Sequence, residues 1–214
     1  TVIETWGSAP RQPGAMLAIS GDGELAGSVS GGCVEGAVAA EALEAMEDGC
    51  CKLLKYGASD DDAFAVGLAC GGQIKVMVEP LAIGDGIALD LLEQVVTNRA
   101  NRAAIGIATH RSDWSRHLVS DVDYPERFAS DQSGPEGEHF ITLYNPSLRM
   151  VVVGAVHIAQ PLTIMARLAG YETVVVDPRA AFATPARFPD VRLIQDWPDA
   201  ALLDEGLDAR TAVV

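Results

Sequence analysis

The chain has 214 residues, of which 49% are hydrophobic and 21% charged, and 15 Lys and Arg stand against 30 Asp and Glu for a formal net charge of −15. This composition excludes an intrinsically disordered chain, and the acidity argues against nucleic acid or an anionic membrane surface as a partner. The sequence has no run of about 18 apolar residues, so we expect no transmembrane helix and no membrane insertion.

The first part of the chain predicts a compact α/β unit. Strand-like segments flank Gly21-Asp22-Gly23, which is a hairpin signal, and apolar residues then recur at helical spacing until Gly49 ends the helix. The polar stretch 121–138 predicts a loop. The expected elements are strands at 2–6, 15–20, 24–29, 52–56, 74–79, 103–109, 117–120 and 139–144, and helices at 33–46 and 85–96.

The pattern changes after Asn145-Pro146-Ser147, the best candidate for a linker. Continuous apolar runs, typical of buried parallel strands, occur at 150–153, 173–176, 191–194 and 211–214, with a helix that Gly170 closes. The sequence therefore predicts an α/β protein with an N-terminal α/β domain over 1–145 and a Rossmann-like, doubly wound half over 146–214. We expect further sequence before Thr1 and after Val214.

The four cysteines, at positions 33, 50, 51 and 70, have spacings that match no zinc ribbon or finger. No basic segment typical of a signal peptide precedes the first strand. The sequence therefore predicts a cytoplasmic protein with reduced thiols.

Two of these cysteines lie among glycines. Cys33 follows Gly31 and Gly32 at a predicted helix N-terminus, where free N–H groups and the helix dipole stabilise a thiolate, so it is a candidate thiolate, metal contact or sulfur acceptor. Cys70 precedes Gly71 and Gly72. Each cysteine also fits a small buried residue at a tight turn, but together they suggest two loops that face one ligand.

Two further loops contain candidate binding residues. Ser8 and Arg11 lie in the proline-stiffened loop 6–14, where the planar guanidinium suits a phosphate or carboxylate, although a solvated arginine is the alternative. The Rossmann turn carries Gly154 and His157, and Asp177 ends the next strand. Val156 stands where a dinucleotide fingerprint requires glycine, so the signal for NAD or FAD is weak; Asp177 fits a ribose hydroxyl contact or a cap on the Pro178 turn.

These segments resemble the XdhC/CoxI family, the accessory factors of xanthine dehydrogenase and related molybdenum hydroxylases such as carbon monoxide dehydrogenase. The N-terminal motifs are TWGSAPRQPG at 5–14, SGGCVE at 30–35 and GLACGG at 67–72. The C-terminal motifs are GAVHIAQPL at 154–162 and VVDPRAAFAT at 175–184.

The resemblance implies a cytoplasmic chaperone that binds molybdenum cofactor (molybdopterin) during its sulfuration and delivers it to an apo-hydroxylase, with a sulfur-donating desulfurase as a second partner and a homo-oligomeric state. The alternative is an NAD(P)-dependent oxidoreductase that uses the Rossmann domain. If the chain is such a chaperone, a nucleotide bound by the Rossmann domain is a further candidate cofactor. The resemblance implies Cys33 and Cys70 as metal contacts, with Arg11 and the glycines Gly31, Gly32, Gly71 and Gly72 near the pterin or its phosphate. The candidate cofactor-binding set is completed by Ser8, Gly154, His157 and Asp177, which the loops themselves suggest, although His157 equally fits a capping or packing role.

Overall fold

The computed structural model describes residues 1–57 and 72–214, and the Cα positions divide the chain into two compact units, Thr1–Asn145 and Pro146–Val214. Within the described ranges, no helix has both the length and the apolar character that crossing a bilayer requires. The elements of the first unit are β1 (Val2–Trp6), β2 (Leu17–Ile19), β3 (Leu25–Gly27), α1 (Glu35–Asp48), β4 (Lys52–Gly57), β5 (Gln73–Val78), α2 (Leu89–Ala100), β6 (Ile105–His110), β7 (Arg116–Ser120), α3 (Pro125–Ser130), β8 (Gly134–Glu136) and β9 (His139–Tyr144).

The first unit contains two antiparallel sheets and a separate β2–β3 hairpin. One sheet has the order β1-β5-β4 and the other β7-β6-β9-β8. Helix α1 packs on the first sheet through Val38, Ala42 and Ala45, which join Val2 and Val76 in one buried cluster. This packing ties α1 to the sheet that contains β1.

The α1 helix ends where the sequence predicts. Gly49 adopts a left-handed conformation with φ of 71°, and its N–H donates to the Ala45 carbonyl at 3.0 Å. Glycine accepts this conformation without steric cost, which is why it stops the helix.

The sequence-based predictions for residues 121–138 and for the start of α2 are wrong in detail. The polarity of residues 121–138 predicts a loop, but they contain α3 and β8, and the buried Phe128 anchors that short helix against Val119 and Ile141. Helix α2 begins at Leu89 rather than at Asp85, because residues 80–87 form a turn in which the Ile87 N–H donates to the Pro80 carbonyl at 2.9 Å.

The second unit is a four-stranded parallel sheet in the order β12-β11-β10-β13. Its elements are β10 (Arg149–Val153), α4 (Ala159–Leu168), β11 (Glu172–Val176), β12 (Arg192–Ile194), α5 (Pro198–Glu205) and β13 (Thr211–Val213). Val152 and Val175 pack toward Ala159 of α4, whereas Val151 and Val174 pack toward Ala201 of α5. Helices therefore cover both faces of the sheet, which confirms the doubly wound arrangement.

A buried ion pair fixes the turn after β5 in the first unit. The side chains of Glu79 and Arg116 are each 7% exposed, and Arg116 Nη2 lies 2.8 Å from Glu79 Oε1. The same guanidinium donates to the carbonyl oxygens of Asp85 and Gly86 and, at 3.2 Å, to Cys51 Sγ. Burial raises the pKa of the Cys51 thiol, and the Arg116 contact opposes that rise only in part.

We expect Glu79→Ala to lower the free energy of unfolding by about 3–5 kcal/mol, because it leaves the Arg116 guanidinium buried without its counter-charge. Denaturant unfolding of Glu79→Ala, Arg116→Ala and the double variant measures this. The double variant should lose less than the sum of the single losses. The control is Lys52→Met, which removes ion pairs to Glu41 and Glu44 that are more exposed than the Glu79–Arg116 pair and should cost less than about 1 kcal/mol. If the losses in Glu79→Ala and Arg116→Ala simply add in the double variant, the two side chains are not energetically coupled and this prediction is wrong.

Candidate functional site

Three segments of the first unit meet at the C-terminal end of β1, and we refer to residues 6–11, 28–34 and Gly72 as the loop cluster. The Arg11 Nε–H donates to the Ser28 carbonyl at 3.2 Å. A Cβ atom on Gly31 would lie 3.8 Å from Pro10 Cγ, and one on Gly72 would lie 2.7 Å from the Ser8 carbonyl oxygen and 3.2 Å from that of Trp6. Only glycine fits at position 72, because the backbones approach too closely for any side chain.

The Glu35 carboxylate organises the middle segment of the loop cluster. It accepts hydrogen bonds from four consecutive backbone N–H groups and from the hydroxyls of Ser28 and Ser30. The N–H donors and their distances to Glu35 oxygens are Val29 (3.2 Å), Ser30 (2.9 Å), Gly31 (3.1 Å) and Gly32 (2.9 Å). The glycines serve this arrangement, since Gly31 and Gly32 have φ values of 78° and 114°.

This network holds Glu35 in its charged form. Partial burial alone would raise the pKa of the carboxyl group, but the hydrogen bonds from Ser30 and Ser28 outweigh burial and keep the pKa well below its usual range. The N–H groups of residues 29–32 are therefore directed at a carboxylate of the chain itself. Sequence reasoning missed this role of Glu35. The pattern that could have predicted it is an acidic residue in the first turn of a helix, preceded by two serines and two glycines that can donate hydrogen bonds to it.

Cys33 is exposed on the loop cluster and is a free thiol. It lies two residues before α1, which begins at Glu35 and not at Cys33 as the periodicity predicts. The next residue, Val34, is buried in the core of the unit, and its N–H donates to Ser30 Oγ at 3.0 Å. The Cys33 backbone is therefore held in place on both sides, by the buried Val34 that follows it and by the hydrogen bond from the preceding Gly32 N–H to Glu35.

Arg11 and Ser8 are both exposed on the first segment of the cluster. The Nε atom of Arg11 is engaged by Ser28, which leaves the terminal amino groups of the guanidinium toward solvent. Trp6, which sequence reasoning did not single out, is 72% exposed at the end of β1. The signal for Trp6 was its place next to a glycine, two residues before the candidate residue Ser8.

The other cysteines differ in their surroundings. Cys50 is exposed, whereas Cys51 is half-buried against Arg116. Cys70 and Gly71 lie outside the described residues, so the expectation that Cys33 and Cys70 face one ligand remains a prediction. Among the residues at 1–57 and 72–214, no group of three or more His, Cys, Asp or Glu side chains is arranged to hold a metal ion.

In the second unit, Asp177 closes the turn that follows β10. Its side chain is 1% exposed, and Oδ2 accepts from the Ala155 N–H at 2.8 Å while Oδ1 accepts from the Arg179 N–H at 2.8 Å. The Arg179 guanidinium adds bonds to both oxygens, at 2.9 and 2.7 Å. The guanidinium holds the pKa of Asp177 well below its usual range. Both oxygens of Asp177 are thus engaged within the chain.

The turn itself is open. Gly154 has φ of 109° with no atom within 4 Å of a Cβ position, and His157 is exposed. Val156 is also exposed, so a branched side chain stands at the surface where a dinucleotide fingerprint has its second glycine.

Two family models match the chain. The model of the XdhC and CoxI family matches residues 1–57, and the model of the XdhC Rossmann domain matches residues 150–214. The chain belongs to the XdhC and CoxI family. The family resemblance of the sequence motifs is confirmed, as is the Rossmann-like fold of the second unit.

Two curated relatives belong to bacteria. The chain is 30% identical over 179 residues to the molybdenum cofactor insertion chaperone PaoD of Escherichia coli K12, covering 83% of this chain and 51% of PaoD. It is 26% identical over 221 residues to a probable xanthine dehydrogenase component of Bacillus subtilis 168, covering 94% of this chain and 66% of that protein. The chain thus spans between half and two thirds of these relatives.

A solved structure shares the fold of the whole chain. The crystal structure described as a xanthine dehydrogenase from Bacillus halodurans superposes with a TM-score of 0.77 at 24% sequence identity. The match covers 100% of this chain and 68% of that one. At this level of identity it establishes the fold alone.

We expect Glu35→Gln to lower the free energy of unfolding by about 1–3 kcal/mol, because a neutral amide is a weaker acceptor for six converging donors and offers only one oxygen. Because the folded-state pKa is depressed, the stabilisation is present above the unfolded pKa of about 4.3 and is lost as the pH falls through the folded-state value. Denaturant unfolding between pH 3 and 7 measures it, with Glu47→Gln on the exposed face of α1 as control; equal losses in both variants would contradict the network.

We expect Gly72→Ala to displace the Trp6–Ser8 backbone and to cost about 1–3 kcal/mol, since the new methyl group would overlap the Ser8 carbonyl. The matched control is Gly36→Ala in α1, where no atom lies within 4 Å of the Cβ position and where alanine should stabilise the helix by up to about 1 kcal/mol. Thermal unfolding of the two variants should therefore shift in opposite directions, and shifts of the same sign would refute this packing.

Proposed function

We propose that this chain is an accessory protein that binds molybdenum cofactor, supports its sulfuration and promotes its insertion into a molybdenum hydroxylase such as xanthine dehydrogenase or carbon monoxide dehydrogenase. Family membership supports the accessory role. The similarity to PaoD, which is named a molybdenum cofactor insertion chaperone, supports molybdenum cofactor as the molecule that this chain binds.

The single observation that carries the proposal is the loop cluster. It presents an exposed thiol at Cys33 and an exposed guanidinium at Arg11 on segments that the Arg11–Ser28 hydrogen bond ties together. Nothing lies within 4 Å of a Cβ position on Gly32, so the surface beside Cys33 is open to a ligand.

These residues fit the chemistry of the cargo. Molybdenum with a terminal sulfur is soft and suits a thiolate, and the pterin phosphate suits a guanidinium. On this proposal Cys33 contacts the metal, together with Cys70, and Arg11 neutralises the phosphate. The proposed set also includes Ser8 and the glycines of the two motifs, Gly31, Gly32, Gly71 and Gly72. The partners would be an apo-hydroxylase and a sulfur-donating desulfurase, and the proposed compartment is the cytoplasm.

The second unit supports the alternative function, an NAD(P)-dependent oxidoreductase, less well than the loop cluster supports the accessory role. The strand-end carboxylate that would bind a ribose diol is Asp177, and its oxygens are engaged by Ala155 and Arg179. The exposed side chain of Val156 stands where the dinucleotide fingerprint has a glycine that lets a pyrophosphate come close to the backbone. A nucleotide contact by Gly154, His157 or Asp177 therefore stays a secondary proposal.

We expect Cys33→Ser to reduce retention of molybdenum cofactor about tenfold or more, because serine keeps the volume of the side chain but removes the soft ligand. The measurement is the molybdenum content of the purified protein together with pterin fluorescence after oxidation. Cys70→Ser should act in the same way.

The matched control for Cys33→Ser is Cys50→Ser, since Cys50 is also exposed but lies at the other end of α1. It should retain cofactor like the wild-type protein. If the Cys33 and Cys50 variants retain equal amounts of cofactor, the Cys33 thiol is not a cofactor contact. If the wild-type protein carries neither molybdenum nor pterin after coexpression with the cofactor pathway, the proposed function is wrong.

A further inference from the structure

The indole of Trp6 is a large apolar ring that the fold holds in solvent. It is 72% exposed, although burying an aromatic side chain of this size is strongly favourable. Its backbone is fixed by pairing with Gln73 of β5 and by Gly72, where a Cβ atom would lie 3.2 Å from the Trp6 carbonyl oxygen and 2.7 Å from that of Ser8. The ring is therefore exposed on a rigid support.

The surroundings of Trp6 define what its face can bind. The neighbouring segments offer one guanidinium at Arg11 and one thiol at Cys33, while the N–H groups of residues 29–32 are taken by Glu35. A ligand of the loop cluster thus finds an aromatic face, a single cation and a soft donor instead of a cradle of backbone amides. This set suits a planar heteroaromatic ring that carries an anionic group.

We propose that Trp6 is the stacking platform of the loop cluster and binds the pterin ring system of the cofactor face to face. The inference rests on the proposed function and adds a residue to its site. Stacking supplies affinity without consuming the hydrogen-bonding edge of the pterin, because the contact uses only the π-face of the ring. Trp6 orients the ring, Arg11 holds its phosphate, and Cys33 remains available to the metal.

The chain offers a matched control in Trp197, which precedes α5 in the second unit and is 68% exposed. Its exposure is close to that of Trp6, but none of the three loop-cluster segments belongs to its unit. A nonspecific effect of removing an exposed tryptophan should appear at both positions, whereas stacking at the site should appear only at Trp6.

The first experiment titrates the intact chain with pterin-6-carboxylate and follows tryptophan fluorescence. Because Trp6 would contact the pterin, wild-type and Trp197→Phe proteins should show saturable quenching, and Trp6→Phe should lose most of the quenching amplitude. The fluorescence anisotropy of the pterin itself, which does not depend on Trp6 as a reporter, measures the affinity of the variants, and Trp6→Ala should weaken binding roughly 10- to 100-fold, as expected for the loss of one stacked ring. Trp6→Phe should weaken it less, since a smaller aromatic face remains.

The second experiment measures molybdenum and pterin retained by the same variants after coexpression with the cofactor pathway. Loss in Trp6→Ala with retention in Trp197→Ala supports the platform. Equal retention in Trp6→Ala and wild type overturns it while the proposed function stands, and absence of cofactor from every protein, wild type included, overturns both. Far-UV circular dichroism verifies that the variants fold, as expected for a side chain with so little burial.

Discussion

The convergence of six hydrogen-bond donors on the Glu35 carboxylate determines what the glycine-rich loop can do. Two serine hydroxyls and four successive backbone N–H groups point at one side chain, so the loop is shaped from within rather than by a ligand. Because Glu35 is the first residue of α1, the loop is also tied to the helix that packs on the first sheet. The position of Cys33 thus follows from the core of the unit.

The second unit uses the same device at its own turn. Asp177 is the first residue after the buried strand β11, and its carboxylate accepts from the Ala155 N–H and from the N–H and guanidinium of Arg179. In both units, an acidic side chain stabilises a glycine-containing turn through hydrogen bonds within the chain. Asp177 in particular needs such donors, since an unpaired charge with so little exposure is costly.

Regular elements with a strong apolar pattern could be predicted from the sequence, and local exceptions could not. The valine runs at 151–153 and 174–176 specify buried parallel strands, because helices must cover both faces of such a run. Helix α3 was missed because its six residues depend on one anchor, Phe128, and short polar helices give no periodic signal. Glu35 was missed as an organising residue because most of its partners are backbone groups, and the sequence does not show where backbone N–H groups point.

The contacts that remain for a ligand suit a protein that must release what it binds. A cradle of backbone amides around a phosphate gives tight, geometrically specific binding, as in nucleotide-binding loops. Among the described residues of the loop cluster, Glu35 engages those amides, and the exposed groups beside them are the Trp6 ring, the Arg11 guanidinium and the Cys33 thiol. Affinity differences among related complexes lie mostly in the dissociation rate, so on the proposed function we expect a site with fewer contacts to release its ligand faster than an amide cradle would. On the proposed function, the loop needs no cargo to hold its shape, because all six donors to Glu35 belong to the chain itself.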